Sequence, residues 1–313
     1  MYKSIKKVAF TTTLLLTGMK LFNFYTEQTL TPVTSSGNDK IFLWKDLKIN
    51  YTEKGNTDSP ALLLLHNLDP ASSKEEWHRI DTILSQHFHI YELDLPGCGK
   101  SDKPNMIYIN YMYVQIISDF IKKIIGVKTN ICASAYSGSY TFMTARFYPE
   151  LIDKIIVISP PAMDALIKPA TKKAKLFEKA LQLPIAGTFL YNCIMSKENI
   201  LDHYACAYFY NENNIPEQAI DISYFNAHYD HSNGKYLLGS IYNNYTNINI
   251  IHALPKMNHE IYLITNHNKK HVCTEYKKYN PAIHTIYVSN CRMLPHMEIP
   301  ETVAEKLIHI FSV

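Results

Sequence analysis

A chain of 313 residues can bury a full core without disulfide or metal staples, and 47% hydrophobic against 19% charged residues describe a folded globular protein, not a disordered tail or a multi-span membrane protein. A net charge of +3, with no Lys/Arg stripe interleaved by aromatics, argues against nucleic acid as a partner. The six cysteines lie far apart with no Cys-x-x-Cys pair, which speaks against a zinc site or redox motif; no metal and no cofactor are expected.

Lys3, Lys6 and Lys7 precede an uncharged run at 8–19, the charge-then-apolar order of an export segment. No small-residue cleavage site follows. Lys20 interrupts, and a second apolar stretch at 21–25 precedes a polar linker at 31–38. Residues 1–40 are therefore expected to be an uncleaved, signal-anchor-like segment that attaches an exported domain to a membrane through residues 8–25. If the segment does not insert, it is a helix lying on a cytoplasmic domain.

From Ile41 onward short apolar runs alternate with longer periodic ones, the pattern of an α/β fold whose mostly parallel sheet is flanked by helices. The runs at 41–44 and 47–52 read as an opening hairpin, and 61–66 as a buried strand without a polar face. Ser72 and Ser73, each three residues before Glu75 and Glu76, form an S-x-x-E capping box. A strand at 87–93, a helix at 111–125 ending at Gly126, and strands at 129–133 and 155–161 follow. Between 161 and 255 the strand signal gives way to helical patterns at 172–183, 197–210 and 216–228, a helical insertion. The βα rhythm returns with a strand at 261–265, a helix at 270–279, a strand at 283–288 and a closing helix at 301–311.

Leu62-Leu63-Leu64-Leu65-His66-Asn67, then Asp94-Leu95-Pro96-Gly97-Cys98-Gly99-Lys100-Ser101-Asp102-Lys103-Pro104, then Ala135-Tyr136-Ser137-Gly138-Ser139 at a strand-to-helix junction, together resemble an α/β-hydrolase of the branch that includes epoxide hydrolases, haloalkane dehalogenases and C–C bond hydrolases. The resemblance runs from about Ile41 to the C-terminus. It implies a core at 41–160 and 256–313, with the insertion at 161–255 as the cap over the active site. Asp94–Pro104 itself reads as a glycine-shaped turn, a fold marker without chemistry.

A nucleophile on a strained strand-to-helix turn needs small residues two before and two after it, and Ala135 and Ser139 flank Ser137 in that way. The helix-ending Tyr148-Pro149 falls early for a nucleophile at 137 by the family's spacing, which keeps Ala135 open as the apex residue. With Ser137 at the apex, Gly138 and Leu68 would supply the oxyanion amides, although Asn67 stands where the family has glycine. A serine needs a histidine base, and that histidine an acid. Glu298-Ile299-Pro300 matches the family's downstream anchor, but Met293 occupies the catalytic histidine's place; His296 is the available base and Asp164 the available acid. The sequence thus supports a serine hydrolase acting on ester or related acyl bonds of a small apolar substrate, with a catalytically silent, membrane-tethered binding protein as the alternative.

Overall fold

The computed structural model describes residues 2–31 and 39–312; most of the expected linker, 32–38, lies outside them. Helix α1 (Tyr2–Gln28) precedes the hairpin β1 (Lys40–Trp44) and β2 (Leu47–Lys54). Strand β3 (Ala61–Leu65), helix α2 (His78–Leu84), β4 (His89–Leu93), α3 (Asn110–Phe120), β5 (Thr129–Ser134), α4 (Ser137–Phe147) and β6 (Ile152–Ile158) follow. The insertion holds α5 (Met163–Leu166), α6 (Lys172–Leu181), α7 (Ala186–Ile194), α8 (Lys197–His203), α9 (Ala219–His228) and α10 (Gly234–Tyr242). The core closes with β7 (Glu260–Asn266), α11 (Lys270–Tyr279), β8 (His284–Val288), α12 (Pro295–Glu298) and α13 (Pro300–Ser312).

The sheet order is β1-β2-β4-β3-β5-β6-β7-β8, with β2 antiparallel to both neighbours and parallel pairing from β4 to β8. Both faces are covered, so a strand such as β3 is apolar throughout. Leu62 and Leu64 pack with Trp77, Leu84 and Leu307 on one face, while Leu63 and Leu65 join Ile117, Phe120 and Tyr140 on the other. The chain turns to opposite sides after β3, placing β4 on one flank and β5 on the other. The crevice beyond the carboxyl ends of β3 and β5 is where such sheets bind ligands.

The motif loop after β4 is tied down by hydrogen bonds. The Asp94 carboxylate accepts from the amides of Lys74 (2.7 Å) and Lys100 (3.0 Å), and a side chain at Gly99, whose φ is +48°, would collide with that carboxylate. Ser101 donates to the Asp94 carbonyl (2.6 Å) and accepts from the Asn50 amide (2.8 Å), while Asp102 accepts from Lys48 (2.7 Å).

The N-terminal helix is joined to the cap. Asn23 donates to the Ile185 carbonyl (3.1 Å) and accepts from Asn192 (3.1 Å), and Phe22 meets Phe189 edge-on at 5.2 Å. Its earlier turns leave Val8, Phe10, Leu14 and Leu15 exposed. No helix among the described residues is long and apolar enough to cross a membrane.

Candidate functional site

The chain reverses sharply between β5 and α4, and the residue in the left-handed region is Ala135 (φ +44°). Its amide donates to the Ile158 carbonyl (2.8 Å) and its carbonyl accepts from Gly138 (3.1 Å), so the turn is fixed from both sides although a non-glycine residue there costs about 1–2 kcal/mol. Val157 explains Gly138: a Cβ at 138 would lie 2.4 Å from the Val157 side chain, closer than any packing allows.

The placement of Ser137 at the apex is therefore corrected to Ala135. Ser137 is the first residue of α4, fully buried, and its hydroxyl donates to the His66 carbonyl at 2.5 Å, stapling the end of β3 to α4. The placement of Gly138 in the oxyanion pair is corrected too, since its amide is used within the turn. The residue after the apex is Tyr136, and the Asn67 carboxamide oxygen lies 3.4 Å from its amide nitrogen. Asn67 thus places its own oxygen where a substrate oxyanion would be held. Leu68 does line the cavity at the elbow, about 270 Å³ and also walled by Tyr136, Asp69, His203 and Met293.

His296 lies elsewhere. It is fully buried, stacked on Trp77 with ring centroids 4.4 Å apart, and its Nε2 is 2.9 Å from Glu76 Oε1. The other Glu76 oxygen accepts from the Asn67 amide (3.1 Å). Burial pushes the Glu76 carboxyl upward, but its hydrogen bond to His296, the charge of His296 and the nearby Ser134 hydroxyl outweigh this and hold it below the ordinary range. Sequence spacing missed this pair because 220 residues separate its members; the S-x-x-E pattern marked Glu76 for a different duty. Only the Ser73 half of that box forms, Ser73 accepting from the Glu75 amide (3.3 Å).

Met293 faces the elbow cavity from the loop where the resemblance asks for a histidine, and its amide donates to the Tyr208 carbonyl (3.1 Å). Glu298, the matched anchor, accepts from Tyr210 (2.8 Å), Asn211 (2.9 Å) and Arg292 (3.1 Å), tying this loop to the cap. Asp164 is corrected as well: its side chain is 73% exposed on α5 and is paired with Lys168 at 3.9 Å. Ser137, His296 and Asp164 are not brought together.

The elbow cavity adjoins a second of about 200 Å³, the two sharing Asp69, His203 and Tyr208 as walls. A third of about 300 Å³ shares Tyr204, Tyr208 and Ser223 with the second and extends along α9. Asp69 accepts from the Ala71 amide (2.9 Å), and burial raises its pKa.

A family model described as the alpha/beta hydrolase fold matches residues 60–196. Mouse epoxide hydrolase 3 is 24% identical over 138 residues, 43% of this chain and 34% of that protein. The 2-hydroxy-6-oxo-6-(2'-aminophenyl)hexa-2,4-dienoic acid hydrolase of Metapseudomonas resinovorans is 24% identical over 113 residues, 36% of this chain and 39% of that one. These matches span little more than a third of the relatives' length. Among solved structures, a membrane phospholipase A aligns over 99% of this chain and 94% of its own (TM-score 0.66, 18% identity), and a Bacillus subtilis carboxylesterase over 93% and 97% (TM-score 0.67, 15% identity). With the strand order, the elbow, the Asp94–Pro104 loop and the helical insertion between β6 and β7 all in place, the chain has the α/β-hydrolase fold.

Proposed function

We propose that this protein uses the α/β-hydrolase scaffold to bind a small, largely apolar molecule beneath its cap and does not hydrolyse it. The observation that carries this reading is Ala135 at the left-handed apex: a methyl group cannot attack a carbonyl, whatever base or acid lies nearby. Asn67 beside the Tyr136 amide and Met293 in the cavity wall agree with it. Purified protein should show no p-nitrophenyl ester turnover above a Ser137→Ala control, across short and medium chains, and no labelling by a fluorophosphonate probe. Turnover or labelling that Ser137→Ala abolishes would overturn the reading in favour of a serine hydrolase.

α1 supports an added feature, contact with an anionic lipid surface. Val8 (64% exposed), Phe10 (72%) and Leu14 (63%) lie on a helix that also exposes Lys7 and Lys20, and apolar side chains bared in this way favour an interface. The full chain should co-float with vesicles of phosphatidylcholine and phosphatidylglycerol, and Leu14→Asp with Leu15→Asp should release it. Unchanged flotation of that double variant, or none by the wild type, removes α1 from this role.

A further inference from the structure

A working oxyanion site gathers donors around developing negative charge. The two cavities that Asp69 lines are built with the opposite polarity. At the elbow the Asn67 carboxamide oxygen lies beside the Tyr136 amide. Next along the loop, Asp69 places a carboxylate in the wall of both the 270 Å³ and the 200 Å³ cavity. Neither wall contains a lysine or arginine among the described residues; the ionisable partner there is His203, which is exposed and set edge-on to Tyr208 at 4.5 Å. The remaining walls are rich in aromatic rings, Tyr136, Tyr204, Tyr208 and Tyr242, with Ile200, Leu238 and Ile241 between them. A partly buried carboxylate without a fixed counter-charge, set among aromatic rings, is complementary to an organic cation, which gains from the carboxylate and the ring faces alike.

Resting on the binding reading above, we infer that the ligand carries an ammonium group on an apolar chain, the charge set against Asp69 and the chain directed along the tyrosine- and isoleucine-lined walls. Burial raises the Asp69 pKa, as expected of a carboxyl awaiting a counter-charge.

The test is isothermal titration of the full chain with octyltrimethylammonium, octanol and octanoate at pH 8, above the ordinary range of an imidazole. The cation should bind at least about tenfold more tightly than the alcohol, and octanoate more weakly than either. Octylphosphocholine, run alongside, distinguishes an ammonium borne by a lipid headgroup from a free one by which of the two binds more tightly. Asp69→Asn keeps an oxygen for the Ala71 amide and should bring the cation down to the level of octanol while leaving octanol unchanged. Octanoate binding as tightly as the cation, no binding by any probe, or an undiminished cation preference in Asp69→Asn would overturn the inference. The wild-type ranking decides the matter even if the variant fails to fold. Ester turnover, which would refute the binding reading, is not read by this titration, so the two failures are distinguishable.

Discussion

In the loop from Asp94 to Pro104 the motif's acids and its serine have structural partners: Asp94 accepts two amides, Ser101 bridges Asp94 and Asn50, and Asp102 accepts from Lys48. At the elbow the arrangement differs. The reversed backbone and the close approach of α4 to β6 are intact, but the apex side chain is a methyl group and Asn67 occupies the oxyanion position. The two regions separate what the fold needs from what the chemistry needs. A left-handed turn at the end of β5 is demanded by packing, because α4 must pass close to Val157, whereas a nucleophile on that turn is demanded only by catalysis.

The buried histidine sharpens this contrast most. If His296 serves the fold as Asp94 does, His296→Ala strands the Glu76 carboxylate in the core and should cost about 3–5 kcal/mol in denaturant unfolding. A loss under about 1 kcal/mol would break the comparison. Asp94→Ala, which strands the amides of Lys74 and Lys100, should cost about 2–4 kcal/mol. Ser137→Ala removes one buried hydroxyl bond to His66 and should cost about 1–2 kcal/mol, with cation binding under the cap unmoved. Altered ligand affinity in this variant would return Ser137 to the site.

Ala135→Gly should stabilise the protein by about 1 kcal/mol, since glycine takes φ +44° without the Cβ penalty. Destabilisation would mean that the Ala135 methyl packs more productively than the turn alone requires. The acid limb of the stability curve offers a further measurement. The folded-state pKa of Glu76 is depressed, so its stabilisation is complete above the ordinary glutamate value and is lost as pH falls through the lower folded value. Glu76→Gln, less stable at neutral pH, should therefore show a flatter decline in acid, and an identical slope would contradict the depressed pKa.

Apolar periodicity and turn residues were enough to place the eight strands, the helix at Lys270–Tyr279 and the Asp94–Pro104 loop, because each depends on neighbours close in sequence. In the insertion the patterns matched α6, α8 and α9 but not the single-turn α5, nor α7 or α10. Helix α7, Ala186–Ile194, has few polar residues to mark a face, since α6 and α10 flank it within the cap and α1 packs upon it; α10 opens on a glycine. The motif residues of the elbow were visible, but their roles were not. Whether residue 135 or 137 turns left-handed depends on where β5 stops beside β6 and on how closely α4 meets Val157. Whether His296 meets Ser137 or Glu76 depends on helices brought together from opposite ends of the chain. Local sequence sets local backbone preference, whereas the partner of a buried polar group is decided by which distant element packs against it, because a polar group removed from water must bond to whatever that packing supplies.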